Sequence, residues 1–253
     1  MTHPHAEDLL FEMQAPPTPI ERLLHLADLY TQHNDTLDLL LSASAEPSEP
    51  RLHATSAQHL ATETLAALTA VHDQRPYESS ELTDATARLR QLACLSTASA
   101  SHDPYQAREL TALAPEAVVA SATVIAREAR KRRGNTTAPA TEHLTAAQEA
   151  ALREVAQGYV VVTGSAERQY VHSRTTRVLI STLRSLEARN LIRRRTASAR
   201  PAFYGGPPQD RVHLTRDGAA VLATSLTFPP APAGSVSTAP RPVATTQAAA
   251  RSR

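Results

Sequence analysis

Arg174, Arg177, Ser181 and Arg184 recur three or four residues apart in RTTRVLISTLRSLEARNLIRRR, residues 174–195. On a helix turning about 100° per residue they gather on one side, and Leu179, Leu183 and Leu186 define the other. Guanidinium groups projecting from a helix bridge phosphates or bind the O6 and N7 edge of guanine through two parallel hydrogen bonds. Hydroxyls near the helix start, those of Ser173 and Thr175, can contact phosphate. The stretch closes on Arg193, Arg194 and Arg195, which alternate in direction on a strand, so at most two of them share a face. With Arg200 and Arg211 they would flank an adjacent phosphate backbone or minor groove. Plain solvation of an exposed helix face produces a similar arginine stripe, so the stripe needs a context.

The surrounding elements supply that context. Thr145 and Gln148 form a capping box, and a helix follows through Ala151, Leu152 and Val155 to a stop at Gly158. The β-branched run YVVVT (159–163) reads as a strand, and a helix is expected over 174–189 with Asn190 as a left-handed cap. LIRRR (191–195) and RVHLT (211–215) read as two strands joined by the turn-rich 196–210, and RDGAAVLATSL as a closing helix. Helix, strand, helix and a long-tipped hairpin make a winged-helix pattern. Tyr170, Phe203 and Tyr204 are too few for a base-stacking platform and are expected in the core or at the wing base, which favours duplex DNA over RNA.

The spacing Ser173-x-Thr175-x-x-Val178, then Leu183-x-x-Leu186-Glu187-x-x-Asn190-Leu191-Ile192-x-Arg194, then Arg211-Val212-x-Leu214-Thr215-x-x-Gly218 resembles the recognition helix, strand and wing of MarR-like and PadR-like bacterial regulators. It spans residues 144–226, about a third of the chain, with Asn190 where that family usually has Gly. The resemblance implies a DNA-binding transcriptional regulator with helix 174–189 in the groove and the 191–215 hairpin as wing. One basic helix discriminates sequence weakly, so a homodimer on two half-sites is expected. Two alternatives stay open: a winged-helix scaffold for protein docking, and a plasmid or phage replication or partition protein.

The fold class expected for all 253 residues is mainly α: an N-terminal helical domain (18–133), a linker (134–143) and the winged-helix domain (144–226). A flexible start (1–17) and a disordered Pro/Ala-rich basic tail (227–253) flank them. Thr18, Pro19 and Glu21 mark one helix start; further helices are expected over 55–72, 80–100, from Asp103, and from Pro115 to Gly134. Residues 1–133 carry 11 basic and 18 acidic side chains, net −7, and residues 144–226 carry 12 and 6, net +6, so the second half is the partner for a polyanion. The acidic half is read as a dimerisation unit, a small-molecule effector site or a protein-docking unit; Val118, Val119, Val124 and Ile125 suit either an interface or a core.

Other chemistry finds little support. The single cysteine, Cys94, lies in an apolar row with Leu89, Leu92 and Leu95 and is expected to be buried. Among 11 histidines, His3, His5, His25, His53, His59 and His72 belong to no metal motif, and His59 with Glu63 is a pair short of a site, so no metal or cofactor is expected. GYVVVTGS lacks the Lys-Ser/Thr of a phosphate loop, and Asp35 and Asp38 read as solvated acids, so no enzyme is expected. No apolar run reads as a membrane span or signal peptide, and a cytoplasmic, nucleoid-associated location is expected.

Overall fold

The computed structural model describes residues 16–42, 51–74, 79–133, 144–164, 168–203 and 206–228. The expectations for residues 1–15, the linker 134–143, the tail beyond 228, His3, His5 and Tyr204 fall outside them. The described residues form helices α1 (Pro19–Ser42), α2 (Arg51–Asp73), α3 (Ser80–Ser99), α4 (Pro104–Thr111), α5 (Ala114–Arg133), α6 (Ala146–Ala156), α7 (Ile180–Ala188) and α8 (Arg216–Thr227). Strands β1 (Val161–Gly164), β2 (Gln169–His172), β3 (Ile192–Ala199) and β4 (Gln209–Leu214) make one antiparallel sheet in the order β2-β1-β4-β3. The chain is mainly helical with a small sheet in its C-terminal part, as the sequence suggests.

Local capping starts the helices. Thr18 Oγ1 accepts from Glu21 N–H at 3.2 Å while Glu21 Oε2 accepts from Thr18 N–H at 2.9 Å, so two of the orphan donors at the start of α1 are satisfied. Thr145 and Gln148 repeat the device on α6. Asp103 caps α4 by accepting from Tyr105 and Gln106 N–H, with Pro104 in the first turn. The Gln106 side chain bonds His102 instead of closing a box. Gly158 (φ 75°) and Asn190 (φ 55°) take the left-handed conformation that ends α6 and α7.

Helix α1 differs from an ordinary amphipathic helix in being buried nearly all round, and its polar residues are buried with it. One side packs on α2, α4 and α5, the other on α6, α8 and the sheet. Tyr30 ties the bundle together: its hydroxyl bonds Thr64 on α2 at 2.9 Å and Ser96 on α3 at 2.7 Å. Val118, Val119 and Ile125 of α5 are core, so that helix packs inward. The apolar core runs unbroken from Ile20 to Leu226, so the halves on either side of 134–143 are packed together through α1. The stretch Pro104–Arg132 contains a window of mean hydropathy 1.4, half of it buried inside the protein.

One expectation about burial fails here. Cys94 is exposed, because α3 directs Leu89, Leu92, Ala93 and Ser96 at its neighbours and position 94 falls on the far side. Two histidines are buried: His53 with Nε2 bonded to the His102 carbonyl, and His33 with Nδ1 on Ser56 Oγ. Burial, with His53 and Arg108 adding positive charge nearby, holds the His33 imidazole down at about 4. Between the ordinary 6.5 and about 4 the unfolded chain binds a proton at residue 33 that the folded protein does not. Stability therefore rises with pH across that window and is lost on acidification. Urea titrations are expected to lose roughly 3 kcal/mol through this residue between pH 7 and pH 4. His33→Gln should flatten that part of the profile; an identical profile in the variant would assign the acid sensitivity elsewhere.

Candidate nucleic-acid interface

The sheet has two faces, and strand alternation distributes the arginines between them. Ile192, Arg194, Val212 and Leu214 stand on the side of α6 and α7, whereas Arg193, Arg195, Arg211 and His213, in register across β3 and β4, stand on the side of α1. The run of three arginines is thus split. Arg194 folds onto α7, its Nη2 donating to Glu187 Oε2 at 2.8 Å and its Nη1 to Gln169 Oε1 at 3.1 Å.

Arg211 is also turned inward, which corrects its assignment to a free wing. Its Nε donates to Asp35 Oδ2 at 2.8 Å, its Nη2 to Asp35 Oδ1 at 2.5 Å, and its Nη1 to the Gly158 carbonyl at 2.7 Å. Two residues along β4, His213 Nδ1 lies 2.7 Å from Asp28 Oδ1, both side chains buried. Asp35 and Asp38 are therefore not solvated acids: Asp35 is 4% exposed, and Asp38 accepts from Arg108 Nε at 3.0 Å. Burial pushes the Asp35 carboxyl up and the Arg211 guanidinium pulls it back down. Glu21, Asp28 and Asp35 are spaced by seven, two helical turns, and that spacing was the available signal for an acidic face.

The helix expected over 174–189 is shorter: α7 begins at Ile180, and 174–179 is an irregular lead-in. The segment before it forms the β1–β2 hairpin. The buried Glu154 of α6 explains the late start. Its Oε2 accepts from Arg174 and Thr175 N–H at 3.1 and 3.2 Å, and its Oε1 from Thr176 N–H at 2.9 Å, fixing these amides outside a helix. Ser173 Oγ accepts from Val178 N–H at 3.3 Å, so that hydroxyl is structural. Leu179 becomes the N-cap residue and is 51% exposed; Val178, Leu183 and Leu186 fill the core instead. Glu154 sits in the otherwise apolar row Ala151, Leu152, Val155, a carboxylate out of place whose significance the sequence reading missed.

Arg174 is exposed and yet engaged. Its Nη1 donates to Tyr159 Oη at 3.0 Å, its guanidinium carbon lies 5.0 Å from the Tyr159 ring centroid, and Glu116 of α5 is 3.5 Å away. Tyr159 in turn donates to the Glu116 carboxylate, and burial with that carboxylate pushes the phenol up to about 12. Thr175, Arg177, Ser181 and Arg184 are exposed, and neither Arg177 nor Arg184 has a partner among the described residues. Arg200 is exposed beyond β3. Tyr170 and Phe203 are 59% and 68% exposed and fill no core: Tyr170 pairs with Thr163 on the edge strand and Phe203 lies in the loop beyond β3. Among the described residues no three His, Cys, Asp or Glu side chains come together as metal ligands.

No family model, curated protein or solved structure matches the chain.

The geometry assigns a structural role to the Asp35–Arg211 pair. Removing one member of a buried pair leaves the other charge uncompensated, so Arg211→Ala and Asp35→Ala should each lower the unfolding free energy by about 3 kcal/mol. The double variant should lose much less than the sum of the two; strictly additive losses in urea denaturation would show that the pair is not coupled.

Proposed function

We propose that the protein is a DNA-binding transcriptional regulator that places the outer side of α7 and its lead-in, 173–179, in a duplex groove. The observation that carries this reading is the exposed set of Arg177 in the lead-in with Ser181 and Arg184 on α7, the latter two on the side away from the buried Leu183 and Leu186, and neither arginine having a side-chain partner among the described residues. Guanidinium groups left unpaired on and just before a packed helix are chemically suited to phosphate and to guanine edges. Thr175 adds a hydroxyl beside them. The contact surface is smaller than the eleven residues named from sequence, since Arg194 and Arg211 are bonded inside the chain and Arg193 and Arg195 stand on the sheet's opposite face. A homodimer offering two such helices to two half-sites belongs to the proposal, as does a cytoplasmic, nucleoid-associated location.

The half-exposed Leu179 at the start of α7 favours a second reading, in which the same surface docks a protein. Binding of the full chain to fluorescent genomic duplexes across a salt series separates the two. The first reading expects a steep salt dependence, and Arg177→Ala and Arg184→Ala should each weaken binding about tenfold and lower the salt slope by about 1, with Tm unchanged. Sequencing of the retained DNA distinguishes operators from origin or partition sites. If the double variant binds duplex as tightly and with the same slope, α7 is not the contact.

A further inference from the structure

A cleft of about 850 Å³ opens between α1, α2, the start of β3 and α8, and is closed at one end by Asn190, just past α7, and by Leu214 and Thr215 at the end of β4. That volume lies within the range of about 300–1,000 Å³ typical of small-molecule sites. Its apolar wall comes from Leu214, Ala219 and Ala220, and its rim carries charges of both signs.

Several of those charges are already satisfied. Asp28 is held by His213, Glu21 by the Thr18 N–H, and Asp217 by the Asn190 amide at 3.2 Å, while Arg216 is engaged elsewhere and His25 completes the basic part of the rim. Arg22 on α1, Arg193 on β3 and Glu63 on α2 are different, since none has a side-chain partner among the described residues. Charges facing a partly enclosed space interact more strongly than in open water and favour a ligand that supplies their counterparts. A simple anion would meet the two arginines but leave Glu63 unmatched and approach Glu21, Asp28 and Asp217. A simple cation would meet Glu63 but face the arginines.

We propose that this cleft binds a small zwitterion, its anionic group held by Arg22 and Arg193, its cationic group by Glu63, and a short apolar spacer lying on Leu214, Ala219 and Ala220. The site is separate from the α7 surface and does not rest on the DNA reading. Because Asp28 lines the cleft and also holds His213 of β4, an occupant sits directly beside the contact joining the two halves.

The test uses the full chain without DNA, so its failure and that of the α7 reading are independent. The probes are glycine, 4-aminobutanoate and 6-aminohexanoate, with butanoate, hexanoate, butylamine and hexylamine as half-charged controls, followed by calorimetry and thermal unfolding. At least one ω-amino acid is expected to bind and raise Tm where its matched controls do not. Glu63→Gln and Arg193→Gln should each weaken that binding about tenfold, equivalent to about 1.4 kcal/mol, while leaving the unliganded Tm unchanged. The proposal is overturned if no ω-amino acid binds, if the half-charged controls bind equally well, or if both variants bind the zwitterion as the natural chain does.

Discussion

The placement of one carboxylate-bearing helix against one cationic sheet face is the constraint on which the molecule turns. Asp28 and Asp35, two turns apart on α1, receive His213 and Arg211, two residues apart on β4. A seven-residue advance along a helix covers about 10 Å, and two residues of strand cover about 7 Å, so both pairs form together when β4 runs roughly along α1. Such buried pairs add little net stability compared with apolar packing, because desolvation offsets the attraction. Their effect is on register: sliding β4 by one residue would turn Val212 toward Asp28 and Asp35 and strand Arg211 in the apolar core.

From that placement follows which face of the C-terminal half is free. The sheet face bearing Arg193 and Arg195 is committed to the α1 side, and the other is covered by α6 and α7. The outer side of α7 is left as a basic surface. The lead-in to α7 is fastened from both halves of the chain, by Glu154 of α6 through three backbone amides and by Glu116 of α5 through Tyr159 and Arg174. The two carboxylates brace a nine-residue helix. Glu154 and Asn190 set the two ends of α7.

What was legible in the sequence was what one or two turns of backbone decide. The capping boxes at Thr18 and Thr145, the Asp103 cap, the restart near Pro115 and the left-handed residues Gly158 and Asn190 are local chemistry, readable from neighbours three or four positions away. The β3 and β4 strands were legible for the same reason. The misses share another cause. Asp35 looked solvated because its partner, Arg211, is 176 residues distant, and the start of α7 was misplaced because the acceptor that holds 174–176 outside the helix lies on α6. Cys94 and Leu179 are exposed because their apolar neighbours in sequence are not their neighbours in space. A periodic pattern fixes a helical face only when the helix's first residue is known.

The charge division along the chain takes on a different meaning once these pairs are in view. An acidic half and a basic half suggest, from sequence, an appetite for a polyanion; in the folded protein part of that difference is answered internally, since Asp35 and Glu116 of the first half meet Arg211 and Arg174 of the second. Glu187 takes Arg194 within the second half. Among the described residues of the second half, Arg177 and Arg184 lie free on the lead-in and outer side of α7, and Arg193 and Arg195 on the α1 side of the sheet. The sheet stands between the two sets, so they belong to separate surfaces, and net charge alone would have merged them.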